Sequence, residues 1–411
     1  ERTALEKIAA TINHDPTLDM LYSDEDIVDD GRQIWVHHKQ AWSPDLERVN
    51  GYTCHLGVYR RSILVDIGGF RDELNGSQDV DMILRFTERT DRVASIPEIL
   101  YHWRMHAAST AGGDAKPYAY IAAQRAIGEQ LTRLGVAGRV EPGPPGLYRV
   151  VHEVPQATSV DVIVADTAHA PLQALAQSLL GESEVNWRLI ICAPEAELSH
   201  ARRALGVMGV TDDRLVLSSA EGSAPVRLAT GAAQSRADHL LLSPTPFQAL
   251  TSGWLVRLLG YSAEAGIAAA GPLVLGPDGL VRHAGVAMVN GIPLYLLRGG
   301  TTSMDLHFGY GTCVHNVSAL DGVLVTSRGR YEELGGLDSA HGSLALVDYS
   351  LRAYAAGYRL VSVPDARLAV RSDSASNNIS EMHLVCGTSG RDPYYNINYR
   401  SDRGDFTVAT I

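Results

Sequence analysis

The chain has 411 residues, a formal net charge of −12 and a hydrophobic fraction of 45%. The length allows two or three domains, and the acidic balance argues against nucleic acid as a partner, because phosphate contacts require a basic face. None of the four cysteines forms a C-x-x-C pair, and no apolar run reaches about 18 residues. We therefore expect free thiols in a reducing compartment and no transmembrane helix.

The first 137 residues alternate between helical and extended patterns. Residues 4–13 show amphipathic helical spacing, and the apolar run 18–22 fits a buried strand that ends at the acidic cluster Asp24, Glu25 and Asp26. Residues 27–50 are predicted as a loop. Further strands are predicted at 54–59, 93–96 and 101–106, and helices at 62–67, 80–90 and 118–134.

Residues 138–158, rich in proline and glycine, are predicted as a linker to a second domain at 159–375. In that domain strands alternate with helices at short spacing, which predicts βαβ units and a mainly parallel sheet. The predicted strands lie at 159–164, 188–192, 214–217, 239–242 and 267–274, and the helices at 172–180, 199–208 and 254–261. Residues 276–320 are less regular, and residues 376–411 are predicted to wrap the surface as a tail.

Residues 54–106 recur at 321–373 with a constant offset of 267 and no gap. A fixed-offset match of this length predicts a duplicated fold unit. The positions kept in both copies include Gly68 and Gly335, Gly69 and Gly336, Asp81 and Asp348, and Pro97 and Pro364. The ionisable residues Asp79, His102 and His106 are replaced by Leu346, Ala369 and Asp373. Shared positions are therefore predicted to maintain the fold, and Asp79 and His106 are predicted to take part in the chemistry.

The acidic cluster is a candidate metal site. Asp24 and Asp26 flank one residue at the predicted end of a buried strand, and such oxygen ligands suit Mg²⁺ or Mn²⁺. A metal held there could neutralise a diphosphate leaving group. The alternative is a solvated acidic turn. The end of the strand at 239–242 carries Ser243-Pro244-Thr245 at the corresponding place, so we expect the second copy to have lost the metal.

Two further groups could carry chemistry. Asp79 stands at a predicted helix N-terminus and is either a general base for an attacking hydroxyl or a helix cap. His102 and His106 share one face of an extended segment, and His106 is a candidate metal ligand, with a structural histidine as the alternative. The aromatic residues of the loop after the acidic cluster could line an acceptor site or have no function; they are Trp35, His37, His38 and Trp42.

The segments LYSDED, AWSPDL, NGYTCHLGVYRRSILVDIGGF, GSQDVDMILR, IPEILYHWRMH and AKPYA resemble the family 2 glycosyltransferases of the GT-A fold, which build bacterial polysaccharides. RHAGV, AGYRLVSVPDA and DPYYNINYRSDRGDFTV extend the likeness to the second domain. The resemblance implies an α/β fold with two GT-A-like, Rossmann-like units in tandem, each with a mainly parallel sheet. The first unit (1–137) would lack its N-terminal nucleotide-binding strands and the second (159–375) its catalytic residues. A longer chain, a partner chain or a homo-oligomer would supply the missing half.

The family resemblance also implies a reaction and roles. The reaction is an inverting transfer from a nucleotide-diphosphate sugar to a glycan or lipid-linked acceptor, in the cytoplasm or at the inner face of the membrane. Asp79 would be the base, and Asp24, Asp26 and His106 would bind Mn²⁺ or Mg²⁺. The candidate substrate-binding residues are Glu25, Gln78, His102, Trp103, Trp42 and His55. The competing hypothesis is a non-catalytic scaffold or glycan-binding partner.

Overall fold

The computed structural model describes residues 1–105, 117–167, 172–302, 309–370 and 392–409. The chain folds as mixed α/β structure, which confirms the α/β part of the predicted fold class. The helices of the N-terminal part (residues 1–137) are α1 (Ala4–His14), α2 (Pro44–Asn50), α3 (Arg61–Asp66), α4 (Gln78–Thr87) and α5 (Pro117–Leu134). Its strands are β1 (Met20–Asp29), β2 (Arg32–His37), β3 (Gly57–Tyr59) and β4 (Val93–Arg104).

A hairpin of β5 (Gly138–Pro142) and β6 (Tyr148–His152) leads into the C-terminal part (residues 159–411). The strands there are β7 (Ser159–Val164), β8 (Asn186–Ala193), β9 (Leu215–Ser219), β10 (His239–Ser243), β11 (Phe247–Ala249), β12 (Ile267–Leu275), β13 (Val281–His283), β14 (Val286–Val289), β15 (Ile292–Tyr295), β16 (His315–Asn316), β17 (Leu324–Ser327) and β18 (Arg359–Val370). The helices are α6 (Leu172–Leu180), α7 (Glu195–Val207), α8 (Ala224–Gln234), α9 (Trp254–Ala263), α10 (Arg328–Glu333) and α11 (Ala345–Ala355). Among the described helices, none has the length and hydropathy that a membrane span requires.

The two main sheets are mixed. In the N-terminal sheet, β4 runs parallel to β1 along most of its length, while β3 and β2 pair antiparallel with the first and second halves of β1. The larger sheet has the order β11-β18-β12-β17-β10-β7-β8-β9. Strands β10, β7, β8 and β9 run parallel, and so do β12 and β18, as the predicted βαβ alternation requires.

The strands that pair with β1 and with β12 are related by the 267-residue offset seen in the sequence. Met20 of β1 pairs with Tyr59 of β3 and Val93 of β4. Ala269 of β12 pairs with Thr326 of β17 and Leu360 of β18, and each of these partners lies 267 residues after its counterpart. The strand that β1 resembles by its pairing is therefore β12.

This pairing corrects one sequence prediction. Residues 243–245, at the end of β10, were expected to correspond to the acidic cluster. The parallel partner of β10 is β7, however, whereas β18, the strand that matches β4, pairs with β12. Asp26 pairs with His102, whereas Leu275 pairs with Ala369, 267 residues after His102. The counterpart of Asp26 is thus Leu275, and that of Asp24, by the same alignment, is Leu273.

Several predicted loops are regular structure. The acidic cluster lies inside β1 and does not follow it, because β2 folds back and pairs with residues 25–29. The predicted loop 27–50 contains β2 and α2, and the predicted linker 138–158 contains the β5–β6 hairpin. The stretches predicted as separate strands at 93–96 and 101–106 form one strand, β4, up to Arg104. Within the predicted surface tail, Tyr395, Tyr399 and Phe406 are buried in the main hydrophobic core.

Asp81 and Asp348 hold the same local structure in the two copies. Asp81 is fully buried and accepts hydrogen bonds from Arg85 (2.7 and 3.0 Å), just as Asp348 accepts one from Arg352 (2.9 Å). Arg85 also donates to the carbonyl groups of Ile67 and Gly69, and Arg352 donates to those of Leu334 and Gly336. In each copy these carbonyl groups belong to the glycine turn that precedes the helix. The pairs therefore fasten a helix to a glycine turn, which is the architectural role predicted for Asp81.

Replacing Asp81 with Asn is expected to lower the free energy of unfolding by about 2 kcal/mol, because charge-assisted hydrogen bonds contribute roughly 1.5–3 kcal/mol. Asp81 also binds Arg71, but Arg71 keeps Glu129 as a second carboxylate partner at 2.7 Å, so the substitution leaves the Arg85 guanidinium without a carboxylate. Burial raises the pKa of Asp81, but the two arginines outweigh it and hold the pKa below its ordinary value. The measurement is the urea midpoint at neutral pH. Asp348→Asn, which removes one arginine partner, should shift it less, and equal shifts would contradict this account.

Candidate active site

The acidic strand β1 divides its side chains between two faces of the sheet. Because alternate residues of a strand point to opposite faces, Asp24 and Asp26 share one face and Glu25 occupies the other. All three are at most 2% exposed. The two faces have different partners, and among the described residues a close group of three metal-ligating side chains lies on the Glu25 face.

Asp24 is saturated with hydrogen-bond donors. Its Oδ1 accepts from the main-chain N–H of Lys39 (2.9 Å) and the side-chain amide of Asn396 (3.2 Å). Its Oδ2 accepts from His38 Nδ1 (2.8 Å) and the side-chain amide of Asn398 (3.3 Å). Asp24 is fully buried, so this carboxylate secures the C-terminal segment to the N-terminal sheet.

Asp26 is bound on both oxygens. Gln33 donates to Oδ2 and His102 Nδ1 to Oδ1, both at 2.7 Å. The hydrogen bond to Asp26 raises the pKa of His102 above its ordinary value. His102 is therefore a hydrogen-bond partner of Asp26, and 40% of its side chain is exposed to solvent.

These contacts do not fit the predicted Mn²⁺ or Mg²⁺ site at Asp24 and Asp26. A metal at Asp24 would have to displace four hydrogen-bond donors from a buried carboxylate, and hard cations need open oxygen ligands. The alternative of a solvated acidic turn is wrong, because both carboxylates are buried. His106, the third predicted ligand, lies outside the described residues.

Glu25 is the centre of a second polar cluster. Its Oε1 lies 3.4 Å from Lys39 Nζ and 3.6 Å from His37 Nδ1, and its Oε2 lies 3.5 Å from His55 Nδ1. Lys39 Nζ also donates to the carbonyl groups of Thr53 (2.8 Å) and His55 (2.5 Å). The loop before β3 is thereby drawn against β1.

The cluster has defined charges. Burial opposes ionisation of Glu25, but the rings of His37 and His55 and the charge of Lys39 outweigh it and lower the pKa of Glu25 to about 2. Burial lowers the pKa of His37 to about 3, so its ring is neutral at physiological pH. Burial also raises the pKa of the Cys54 thiol well above its ordinary value, and Glu25 and Asp79 add to that effect. At neutral pH Glu25 is therefore a carboxylate and Cys54 a thiol.

Asp79 lies beside this cluster at the first turn of α4. It is partly buried, its Oδ1 accepts from the N–H of Val80 (2.9 Å), and its charge acts on Cys54 and Glu47. Burial raises the pKa of Glu47 to about 7, so Asp79 has a second titratable neighbour. Gln78 accepts from the N–H of Gly76 (2.7 Å), which is a local turn contact.

Aromatic rings border the cluster where it meets solvent. His55 stacks on Tyr101 with ring centroids 4.8 Å apart and lies 5.5 Å from Trp103, and its side chain is 37% exposed. Trp35 stacks on His37 at 5.5 Å. Trp42, in contrast, packs against the main hydrophobic core. The structure therefore brings Glu25, His55, Trp103 and Asp79 into one region and places Trp42 in a packing role.

Sequence reasoning missed Lys39 and Cys54 as members of this region. Lys39 was not singled out, and Cys54 was taken only as a free thiol. The available signal was the β-favouring run Ile34-Trp35-Val36, which forms β2 and pairs back on β1, so that His37 lies opposite Glu25 and Lys39 follows two residues later. Because residues 27–50 were predicted as a loop, no strand was expected there to pair with β1.

The C-terminal part carries different residues at the matching positions. Val274 pairs with His283, as Glu25 pairs with His37, and the offset of 267 places Asp321 at Cys54 and Gly322 at His55. Burial raises the pKa of Asp321 to about 6, and Tyr295 donates to it at 2.7 Å. The same strand arrangement thus exists without the Glu25, Cys54 and His55 side chains.

Comparison with known proteins gives two curated relatives. One is the "Uncharacterized protein y4gI" of Sinorhizobium fredii, 30% identical over 438 residues, which covers 99% of this chain and 48% of that protein. The other is the "O-antigen biosynthesis protein RfbC" of Myxococcus xanthus, 30% identical over 416 residues, covering 96% of this chain and 32% of that protein. The chain thus spans about half of one relative and a third of the other. No protein-family model matches it.

Solved structures show only distant likeness. The mannosyltransferase PcManGT from Pyrobaculum calidifontis, in complex with GDP-Man and Mn²⁺, is 14% identical at a TM-score of 0.38, over 64% of this chain and 67% of that one. The S. aureus TarS 1-349 structure is 12% identical at a TM-score of 0.37, over 52% and 60%. At these scores neither structure supports an assignment of fold or function.

Proposed function

We propose that this chain belongs to a glycosyltransferase that transfers a sugar from a nucleotide-diphosphate donor to a glycan or lipid-linked acceptor in surface-polysaccharide synthesis. One observation carries the proposal: the partly buried Asp79 acts on Cys54, which contacts His55 in its stack on Tyr101, while the matching position of the copied fold is Leu346. The shared framework keeps Asp81 and the glycine turn, so the carboxylate at position 79 is not needed for folding. The name of the Myxococcus relative supports the biological setting.

In this proposal Asp79 is the general base. The Val80 N–H binds Oδ1, which leaves Oδ2 to take the proton from the acceptor hydroxyl. The acceptor oxygen then bonds to the anomeric carbon while the bond to the diphosphate breaks on the opposite side, which inverts the configuration. The stacked His55 and Tyr101 rings and Trp103 offer flat apolar faces that can orient a sugar ring.

A bound Mn²⁺ or Mg²⁺ would supply positive charge for the departing diphosphate. We do not assign this metal to Asp24 and Asp26, whose oxygens are occupied by hydrogen-bond donors. His106 stays a predicted ligand. We further propose that residues 159–375 are a non-catalytic copy of the GT-A-like unit, because Leu346 stands where the base would be.

The proposal is tested with protein that contains residues 1–411, incubated with Mn²⁺ and radiolabelled UDP, GDP or dTDP sugars, with and without glycan acceptors extracted from bacterial envelopes. Calorimetry under the same conditions measures donor binding. We expect binding of one donor and label transfer to the acceptor. Absence of both, for every donor, would refute the enzyme hypothesis. Glycan binding without any donor binding would favour the alternative of a glycan-binding partner.

A further inference from the structure

Three side chains beside Asp79 form a group of mixed metal-binding donors. A carboxylate oxygen of Glu25, Sγ of Cys54 and Nδ1 of His55 lie within 4.8 Å of one another. Cys54 Sγ is 3.0 Å from His55 Nδ1, which is 3.5 Å from Glu25 Oε2. With Zn–S bonds of about 2.3 Å and Zn–N or Zn–O bonds of about 2.0–2.2 Å, tetrahedral donors are about 3.3–3.6 Å apart. Small side-chain shifts therefore place these three donors on one ion.

A buried oxygen of Glu25 has no hydrogen-bond partner among the described residues. Glu25 is 2% exposed, and its Oε2 accepts no hydrogen bond in the described structure. Lys39 does not satisfy this oxygen, because its Nζ lies 3.4 Å from Oε1 and is also bound to two main-chain carbonyl groups. Buried polar atoms are nearly always paired, so an unpaired carboxylate oxygen beside a thiol and an imidazole needs an explanation.

The fold itself does not require these three residues. Their counterparts in the matching strands and loop of the C-terminal part are Val274, Asp321 and Gly322. The backbone of Cys54 has a φ of +31°, a left-handed conformation that costs energy for any residue with a Cβ. A strained backbone that turns a thiol towards a buried carboxylate is typical of a binding site.

We propose that Glu25, Cys54 and His55 bind one Zn²⁺ ion, with a fourth position open towards solvent on the His55 side. A thiolate and an imidazole favour zinc over Mn²⁺ or Mg²⁺. The carboxyl groups of Glu25, Asp79 and Glu47 all act on the Cys54 thiol, and Lys39 opposes them, so acidic groups outnumber basic ones around it. Binding of Zn²⁺ with release of the thiol proton to solvent would offset that imbalance. The inference concerns metal binding alone and does not depend on sugar transfer.

The metal content of the purified protein tests the inference. After removal of metals with a chelator and dialysis, we expect the protein to take up one equivalent of Zn²⁺, measured by elemental mass spectrometry and competition with a chromophoric chelator. Substitution with Co²⁺ should produce the near-ultraviolet charge-transfer band of a cobalt–thiolate bond and the visible spectrum of a tetrahedral site. Uptake well below one equivalent, or a Co²⁺ spectrum without a thiolate band, would overturn the proposal.

Variants locate the site. Cys54→Ser should abolish the cobalt–thiolate band, and His55→Gln should weaken Zn²⁺ binding by more than about 100-fold, since loss of an outer-shell partner alone costs about 10–100-fold. His55 is partly exposed, so its variant is expected to fold even where Cys54→Ser does not. Cys192→Ser, a buried thiol far from the cluster in sequence, is the matched control and should bind normally. Unchanged affinity in His55→Gln would place the ion elsewhere and reject the site.

Discussion

An Asp79→Asn variant is expected to transfer sugar at least about 100-fold more slowly than the parent protein. General base catalysis typically contributes about 10²–10⁴-fold to the rate, and an amide cannot take the acceptor proton. The variant keeps the size of the side chain and an oxygen for the Val80 N–H, so α4 should begin as before. The measurement is kcat at saturating donor and acceptor. The proposed loss lies in kcat, with donor binding in calorimetry unchanged.

Three comparisons separate a catalytic role of Asp79 from a structural one. Asp79→Glu keeps a carboxylate and should recover part of the parent kcat. The kcat of Asp79→Ala should be no higher than that of Asp79→Asn. Asp81→Asn, two residues along α4, should lower stability while leaving donor binding intact at a temperature where the variant is folded. The urea midpoint of Asp79→Asn should match that of the parent protein. A kcat within threefold of the parent protein would show that another group takes the proton.

The repeat was the most informative sequence feature, and it predicted long-range structure that composition could not. Its offset reappears in the pairing partners of β1 and β12, and in the bonds of Arg85 and Arg352 to the glycine turns. These positions were predictable because a copied segment keeps the residues that its backbone needs. Helices α1, α3, α4, α5, α6, α7 and α9 and the buried strands β7, β8 and β10 followed from local hydrophobic periodicity.

The acidic cluster was misread because its partners are distant in sequence. Asp24 accepts hydrogen bonds from Asn396 and Asn398, more than 370 residues away, and local sequence patterns do not predict such contacts. Glu25 faces His37 only because β2 folds back onto β1, and a short, half-exposed strand such as β2 resembles a loop in sequence. Local signals found the carboxylates, but the burial and partners that decide their chemistry came from tertiary pairing.

A buried ion pair joins the N- and C-terminal parts. Arg48 of α2 and Glu264, which follows α9, are 5% and 6% exposed, and Arg48 Nη1 lies 3.1 Å from Glu264 Oε1. His152 of β6 donates to the same oxygen from Nε2 at 2.7 Å. Burial opposes ionisation of Glu264, but the His152 hydrogen bond and the Arg48 charge outweigh it and lower the pKa of Glu264 to about 2.

Arg48→Met is expected to lower the free energy of unfolding by about 3–5 kcal/mol, because removing one member of a buried ion pair leaves an uncompensated charge. The methionine fills similar space, so most of the loss comes from the buried Glu264 carboxylate, because Asp45, 4.0 Å from Arg48 Nη1, keeps its ion pair with Arg359 at 3.0 Å. The measurement is the urea midpoint at pH 7, with tryptophan fluorescence and circular dichroism as independent probes. Arg133→Met, which removes the more exposed ion pair with Glu88, is the matched control and should cost at most about 1 kcal/mol.

The pH dependence of stability provides an independent check on the same pair. Since the pKa of Glu264 falls from its ordinary 4.5 to about 2 on folding, its contribution is complete above pH 4.5 and is lost as the pH falls towards 2. Without Arg48 the pKa of Glu264 should rise towards its ordinary value, so the urea midpoint of Arg48→Met should decline less steeply over that interval. Other carboxylates titrate there too, but they do so in both proteins and cancel in the comparison. Parallel acid profiles for the two proteins would mean that Arg48 does not hold Glu264 in its charged form.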